Sequence, residues 1–66
     1  MSVAKITEIS SSSKVSFEDA IKTGIARACQ TLDQVQGAWI SEQKVVVEKD
    51  KIVEYRVDMR VTFILK

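Results

Sequence analysis

The last third of the chain alternates almost without a break. Val53, Tyr55, Val57, Met59, Val61, Phe63 and Leu65 are separated by Glu54, Arg56, Asp58, Arg60, Thr62 and Ile64. A period of two places the first set on one face of an extended strand and the second set on the other. The pattern predicts a strand over 52–66. Fully extended, it reaches about 50 Å, against ~17–20 Å for an ordinary strand.

A different period governs 17–33. Phe17, Ile21, Ile25, Ala28 and Leu32 recur at steps of four, four, three and four, which predicts an amphipathic helix with one apolar stripe. Ser16 stands just ahead of it, suited to accept an orphan backbone N–H. Glu18 and Asp19 favour the positive end of the helix dipole. Lys22 and Arg27 fall off the stripe, toward water. Gly24 lies beside the stripe, and two readings stand: it lets the helix approach the sheet closely, or it is a tolerated glycine costing about 1 kcal/mol.

The rest fills in around these two elements. Val3, Ile6 and Ile9 among polar residues predict a short strand over 3–9, and Ser10 to Ser13 a loop into the helix. Gly37 closes the connection that follows the helix. Residues 38–48, with Trp39, Ile40 and Val45 to Val47, predict a strand by their β-branched content. Lys49-Asp50-Lys51 then makes the turn of a hairpin. The expected fold is α+β, in the order β-α-β-β: a three-stranded antiparallel sheet packed on one long helix, as a single domain over 1–66.

These lengths do not match. A helix of about seventeen residues spans only ~25 Å and cannot cover the apolar face of the last strand, so part of that face must find its cover on another copy of the chain. Size points the same way. A chain of 66 residues buries only about 60% of its unfolded surface, which leaves it marginal without a staple. One cysteine and no histidine exclude an intramolecular disulfide and a structural zinc site. Association remains. The mixed charges of the opposite face are expected to meet water, to pair between copies or to line a cavity.

Charge and chemistry narrow the function. A net charge of +1 gives no long-range attraction to nucleic acid or anionic membrane. No apolar run is long enough for a bilayer, so a cytoplasmic protein is expected. Without histidine there is no hydrolytic triad, and no phosphate loop or dinucleotide glycine fingerprint is present. Cys29, next to the helix stripe, reads as a small buried apolar residue rather than a reactive thiol. Carboxylates occur singly, so no divalent-metal motif is visible, although Glu or Asp residues from several copies together leave one open. An enzyme is not expected.

Several segments together resemble the dodecin family. Lys5-Ile6-Thr7-Glu8-Ile9, the serine run and Ser16-Phe17-Glu18-Asp19-Ala20-Ile21 are similar to its opening. Ala26-Arg27-Ala28 and Thr31-Leu32 resemble its helix. Gly37 to Gln43, Glu54-Tyr55-Arg56-Val57 and Thr62-Phe63 resemble its hairpin. The resemblance implies a hollow homododecamer with helices outside and polar sheet faces inward. It implies a store or scavenger of flavins such as riboflavin or FMN. Coenzyme A and calcium are the ligands of other members.

The family's flavin site implies Gly37, Trp39 and Arg56 as ligand-binding residues, with two departures. The stacking tryptophan of flavin-binding members aligns with Gly37, and their glutamine aligns with Arg56. Trp39 lies two residues on, hence on the same face, as an aromatic platform displaced by about 7 Å. It stacks a planar ligand there or packs at a subunit contact. Arg56 contacts a ligand phosphate or pairs with Asp58 or Glu54 of a neighbour, but it cannot accept a hydrogen bond as glutamine does.

Overall fold

The computed structural model describes residues 3–65. The order is β1 (Val3–Ser13), α1 (Phe17–Thr31), β2 (Val35–Glu48) and β3 (Lys51–Leu65). The strands form one antiparallel sheet in the order β1-β3-β2, with the longest strand in the middle. The β-α-β-β expectation holds. The expected last residue of β3, Lys66, lies outside the described residues.

Residues 10–13 are not a loop. They continue β1 and pair with Asp58 to Tyr55 of β3. Their hydroxyls explain why polar residues run as a strand here. Ser10 donates to Asp58 Oδ1 at 2.6 Å on one face, and Ser11 donates to the Ala20 carbonyl at 2.7 Å on the other. β-propensity is a statement about packing and pairing partners, and these partners lie 48 and 9 residues away.

The helix begins as its pattern predicts. Ser16 is extended, and its Oγ accepts from the Asp19 N–H at 3.0 Å. Ser13 reinforces the entry: its Oγ donates to Asp19 Oδ2 at 2.6 Å and accepts from the Val15 N–H at 2.9 Å. The helix ends at Thr31, two residues early. Leu32 is extended, with its N–H still bonded to the Ala28 carbonyl, and Gln34 at φ 52° turns the chain into β2.

Ala20, Gly24 and Ala28, at i, i+4 and i+8, are the buried residues of the helix. Ala20 packs with Val57 and Met59 of β3, and Gly24 lies against Met59; Val57, Met59 and Val61 are fully buried. Phe17, Ile21 and Ile25 of the predicted stripe flank that line, half-buried, together with Ile9. Small residues therefore make the closest contact, and the large ones wedge its sides. A β-carbon at Gly24 would stand 2.5 Å from Met59 Cε, so the close-approach reading of this glycine is the correct one. Phe17 and Tyr55 meet edge to face, centroids 5.1 Å apart. Cys29 is exposed rather than buried; one step of about 100° beyond Ala28 carries it off the contact face.

The helix lies over β1 and β3 and leaves β2 almost bare. Its fifteen residues cover about 22 Å, while the longest extent of the chain is 52 Å. Ile40, Val45, Val47, Ile52 and Val53 are all exposed. The length mismatch read from the sequence is present in full.

Candidate functional site

The face of the sheet away from the helix is open, and the register fixes its rows. Ile6, Thr62 and Gly37 form the first row, followed by Glu8, Arg60 and Trp39. Below these lie Ser10, Asp58 and Glu42, then Ser12, Arg56 and Lys44. Of the three bulges in the β2–β3 ladder, the one at Gln36 lies beyond Gly37, and the other two leave these rows in order. Ser41 is the extra residue on β2 between Ile40 and Glu42, and Val53 is the extra residue on β3 between Ile52 and Glu54. Each re-aims the chain by one position, and because they fall on opposite strands their register shifts cancel. Ser41 secures its bulge by donating to the Asp58 carbonyl at 3.0 Å.

Gly37 and Trp39 therefore do share the polar face, as the period of two requires. Trp39 is 59% exposed, unusually so for a side chain whose burial is worth so much. Gly37 lies inside β2 rather than in the connection, and a β-carbon there would touch nothing within 4 Å. Open space thus adjoins the indole along the strand.

Arg56 is on the same face but not beside Trp39. It lies four residues along β3 from Arg60, the residue that opposes Trp39, hence about 13 Å away. Its Nε donates to Glu54 Oε1 of its own chain at 2.6 Å. That bond is the main reason the Glu54 carboxyl sits below its ordinary pKa; partial burial opposes it, and the charges of Arg56 and Lys14 add to it. The pair expected from the sequence is with Asp58 or Glu54 of a neighbouring copy; the bond seen here is to Glu54 of the same chain.

The residue that sequence reasoning missed is Arg60, directly across from Trp39. Its Nε stands 3.6 Å from Glu8 Oε2 on β1, with both side chains well exposed. Counting back along the hairpin from its turn would have found it. The turn is Lys49-Asp50 alone, with Lys51 already paired to Glu48. Taking Lys51 into the turn slips the register by one, which puts Trp39 opposite a residue of the other face.

Two like-charge pairs complete the face: Glu42 opposite Asp58, and Lys44 opposite Arg56. They border a groove of about 410 Å³ that also includes Ser10 and Ser12. Among the described residues, no three metal-ligating side chains converge within one chain, and no helix is long and apolar enough to cross a membrane.

One helix on one face of a three-stranded sheet, with the other face open and polar, defines a small α+β module with a broad accessible sheet surface. The dodecin family model matches residues 3–66, and the chain belongs to the dodecin family. The calcium dodecin of Mycobacterium tuberculosis is 32% identical over 63 residues, which span 96% of this chain and 89% of that protein. Dodecin from Streptomyces davaonensis superposes with a TM-score of 0.93 at 29% identity, over 98% of this chain and 96% of that one. A variant of the Thermus thermophilus dodecin gives 0.94 at 29% identity, over 100% and 98%. The solved structure of the Mycobacterium tuberculosis protein, described as calcium chelating with a calcium-binding site, gives 0.85 at 28% identity, over 97% and 91%.

Proposed function

We propose that this chain is a non-catalytic binding protein that closes into a shell of twelve copies, polar faces inward, and stacks a planar ligand of the flavin type on Trp39. The observation that carries the ligand reading is the exposed Trp39 ring on the open polar face, with free space beside it at Gly37. The bare apolar surface of β2 supports assembly, because contiguous exposed apolar area of this kind marks an interaction surface. The residues fit the ring of a flavin better than its polar edge. Trp39 supplies an aromatic face, but Arg56 offers only donors and is already bonded to Glu54.

Fluorescence tests this reading. Titration of riboflavin or FMN with purified protein is expected to quench the flavin emission, and Trp39→Ala to abolish the quenching. Unchanged emission at micromolar protein would remove flavin as the ligand. Sedimentation is expected to give a particle of twelve times the 7.4 kDa chain mass.

A second reading has its own observation. Glu42 and Asp58 face each other across the ladder, an arrangement that is unfavourable unless a cation offsets it, and the curated relative is a calcium dodecin. Two carboxylates are too few for calcium, which takes six to eight oxygens, so a second copy or water would complete the site. Calcium is then expected to raise the melting temperature and EDTA to lower it; no shift with either removes this reading.

A further inference from the structure

The reading of Trp39 as a stacking platform leaves open what distinguishes one planar ligand from another. The structure bears on that question through the residue opposite. A directly opposed cross-strand pair brings β-carbons within about 5 Å on the same face, and the partner of Trp39 is Arg60. Among the described residues Arg60 has one ionic contact within the chain, to Glu8 on the far side of β3 at 3.6 Å. That distance is beyond a hydrogen bond. Both side chains are more than half exposed, and ion pairs of this kind contribute ~0–1 kcal/mol.

The contrast with Arg56 is direct. Arg56 is held by a 2.6 Å charge-assisted bond to Glu54, so its charge is largely neutralised in place. Arg60 keeps most of its donors unused, and a planar guanidinium fits the oxygens of a phosphate or carboxylate in a bidentate fashion. Turned toward Glu8, it also leaves the Trp39 ring uncovered. A ring seated on Trp39 would place a pendant group within reach of this guanidinium, once Arg60 exchanges its loose contact with Glu8 for the ligand.

We propose that Arg60 is the specificity-determining residue of the Trp39 site, selecting planar aromatic ligands that carry a phosphate or carboxylate over neutral ones, with Glu8 as the internal competitor for its charge. This rests on the reading of Trp39 as the stacking residue, and the test separates the two.

Riboflavin and FMN are suitable probes, since the flavin ring is common to both and only FMN bears the phosphate. Flavin quenching is measured for the wild type, Arg60→Gln and Glu8→Gln at low and high salt, with particle size checked by sedimentation. The wild type is expected to bind FMN about tenfold more tightly than riboflavin, the gain of one charge-assisted bond. Salt should narrow that margin, because the pair is exposed. Arg60→Gln is expected to abolish the margin while leaving riboflavin affinity within about twofold. Glu8→Gln frees the guanidinium and is expected to widen the margin, which decides the matter even where Arg60→Gln fails to assemble. Equal affinity for both flavins in the wild type, or an FMN margin unchanged in both variants, overturns the role of Arg60 and leaves Trp39 standing. No quenching by either flavin overturns both.

Discussion

Gly24 on the helix lies against Met59 on the central strand so closely that a β-carbon at position 24 would stand 2.5 Å from Met59 Cε and 3.0 Å from Ser11 Cβ. Met59 is fully buried and has little room to move aside. Gly24→Ala gains up to about 1 kcal/mol of helix propensity but overpacks the core at a cost of ~1–3 kcal/mol. The expected net result is a lower melting temperature at equal protein concentration. Shortening the neighbour should relieve the clash, so Gly24→Ala costs less in a Met59→Val background than in the wild type. A double-mutant cycle measures this coupling, and additive effects would show that the contact is not what constrains position 24.

Lys49 and Asp50 both adopt positive φ, 52° and 64°, at the tip of the β2–β3 hairpin. This is the backbone of a two-residue type I′ turn, which favours Asn-Gly. A left-handed conformation costs a side-chain-bearing residue about 1–2 kcal/mol, less for aspartate. Lys49→Asn combined with Asp50→Gly is expected to stabilise the protein by about 1 kcal/mol, read as an increase in denaturation midpoint. A decrease would mean that the turn has another geometry.

Ser13 is buried and makes three polar contacts at the entry to the helix, with Asp19 and with the N–H groups of Val15 and Ser16. Replacing it by alanine leaves the Val15 N–H and the Asp19 carboxylate short of a partner. The expected loss is about 1–3 kcal/mol. Ser16→Ala should cost less, about 1 kcal/mol, since it removes one exposed cap bond. Equal losses from the two would show that burial of Ser13 adds nothing.

The bond from Arg56 makes Glu54 a reporter of acid sensitivity. Its carboxyl titrates below the ordinary range in the folded protein because Arg56 bonds to the charged form. A depressed folded-state pKa contributes stability above the unfolded value, and that contribution is lost as the pH falls through the folded value. In Arg56→Gln the Glu54 midpoint, followed by NMR of the side-chain carboxyl, is expected to move up. The acid side of the stability profile should flatten. An unmoved midpoint would assign the shift to Lys14 or Ser12 instead.

Much of this molecule was legible in the sequence because two periods dominate it. The alternation of 53–65 and the steps of the helix stripe each repeat often enough to define an element and its buried face. The serines of β1 were not legible. Nothing local marks Ser10 to Ser13 as strand, since what makes them one is pairing with Asp58 to Tyr55 and a helix carbonyl above Ser11. Gly24 was half legible: its place beside the stripe was visible, but Met59 beneath it was not.

The candidate site divides in the same way. Sequence alone placed Gly37 and Trp39 on one face of their strand and Arg56 on the polar face of the last strand, and showed that this last strand outreaches its helix, because side-chain alternation and rise per residue are properties of the local backbone. Which residue stands beside Trp39 depends on register, and register depends on where the turn closes and on bulges at Ser41 and Val53 that cancel. Only the tertiary structure decided that, putting Arg60 opposite the indole and tying Arg56 to Glu54. A one-residue difference at the turn exchanges the two faces of a strand, and no local pattern carries that information across the hairpin.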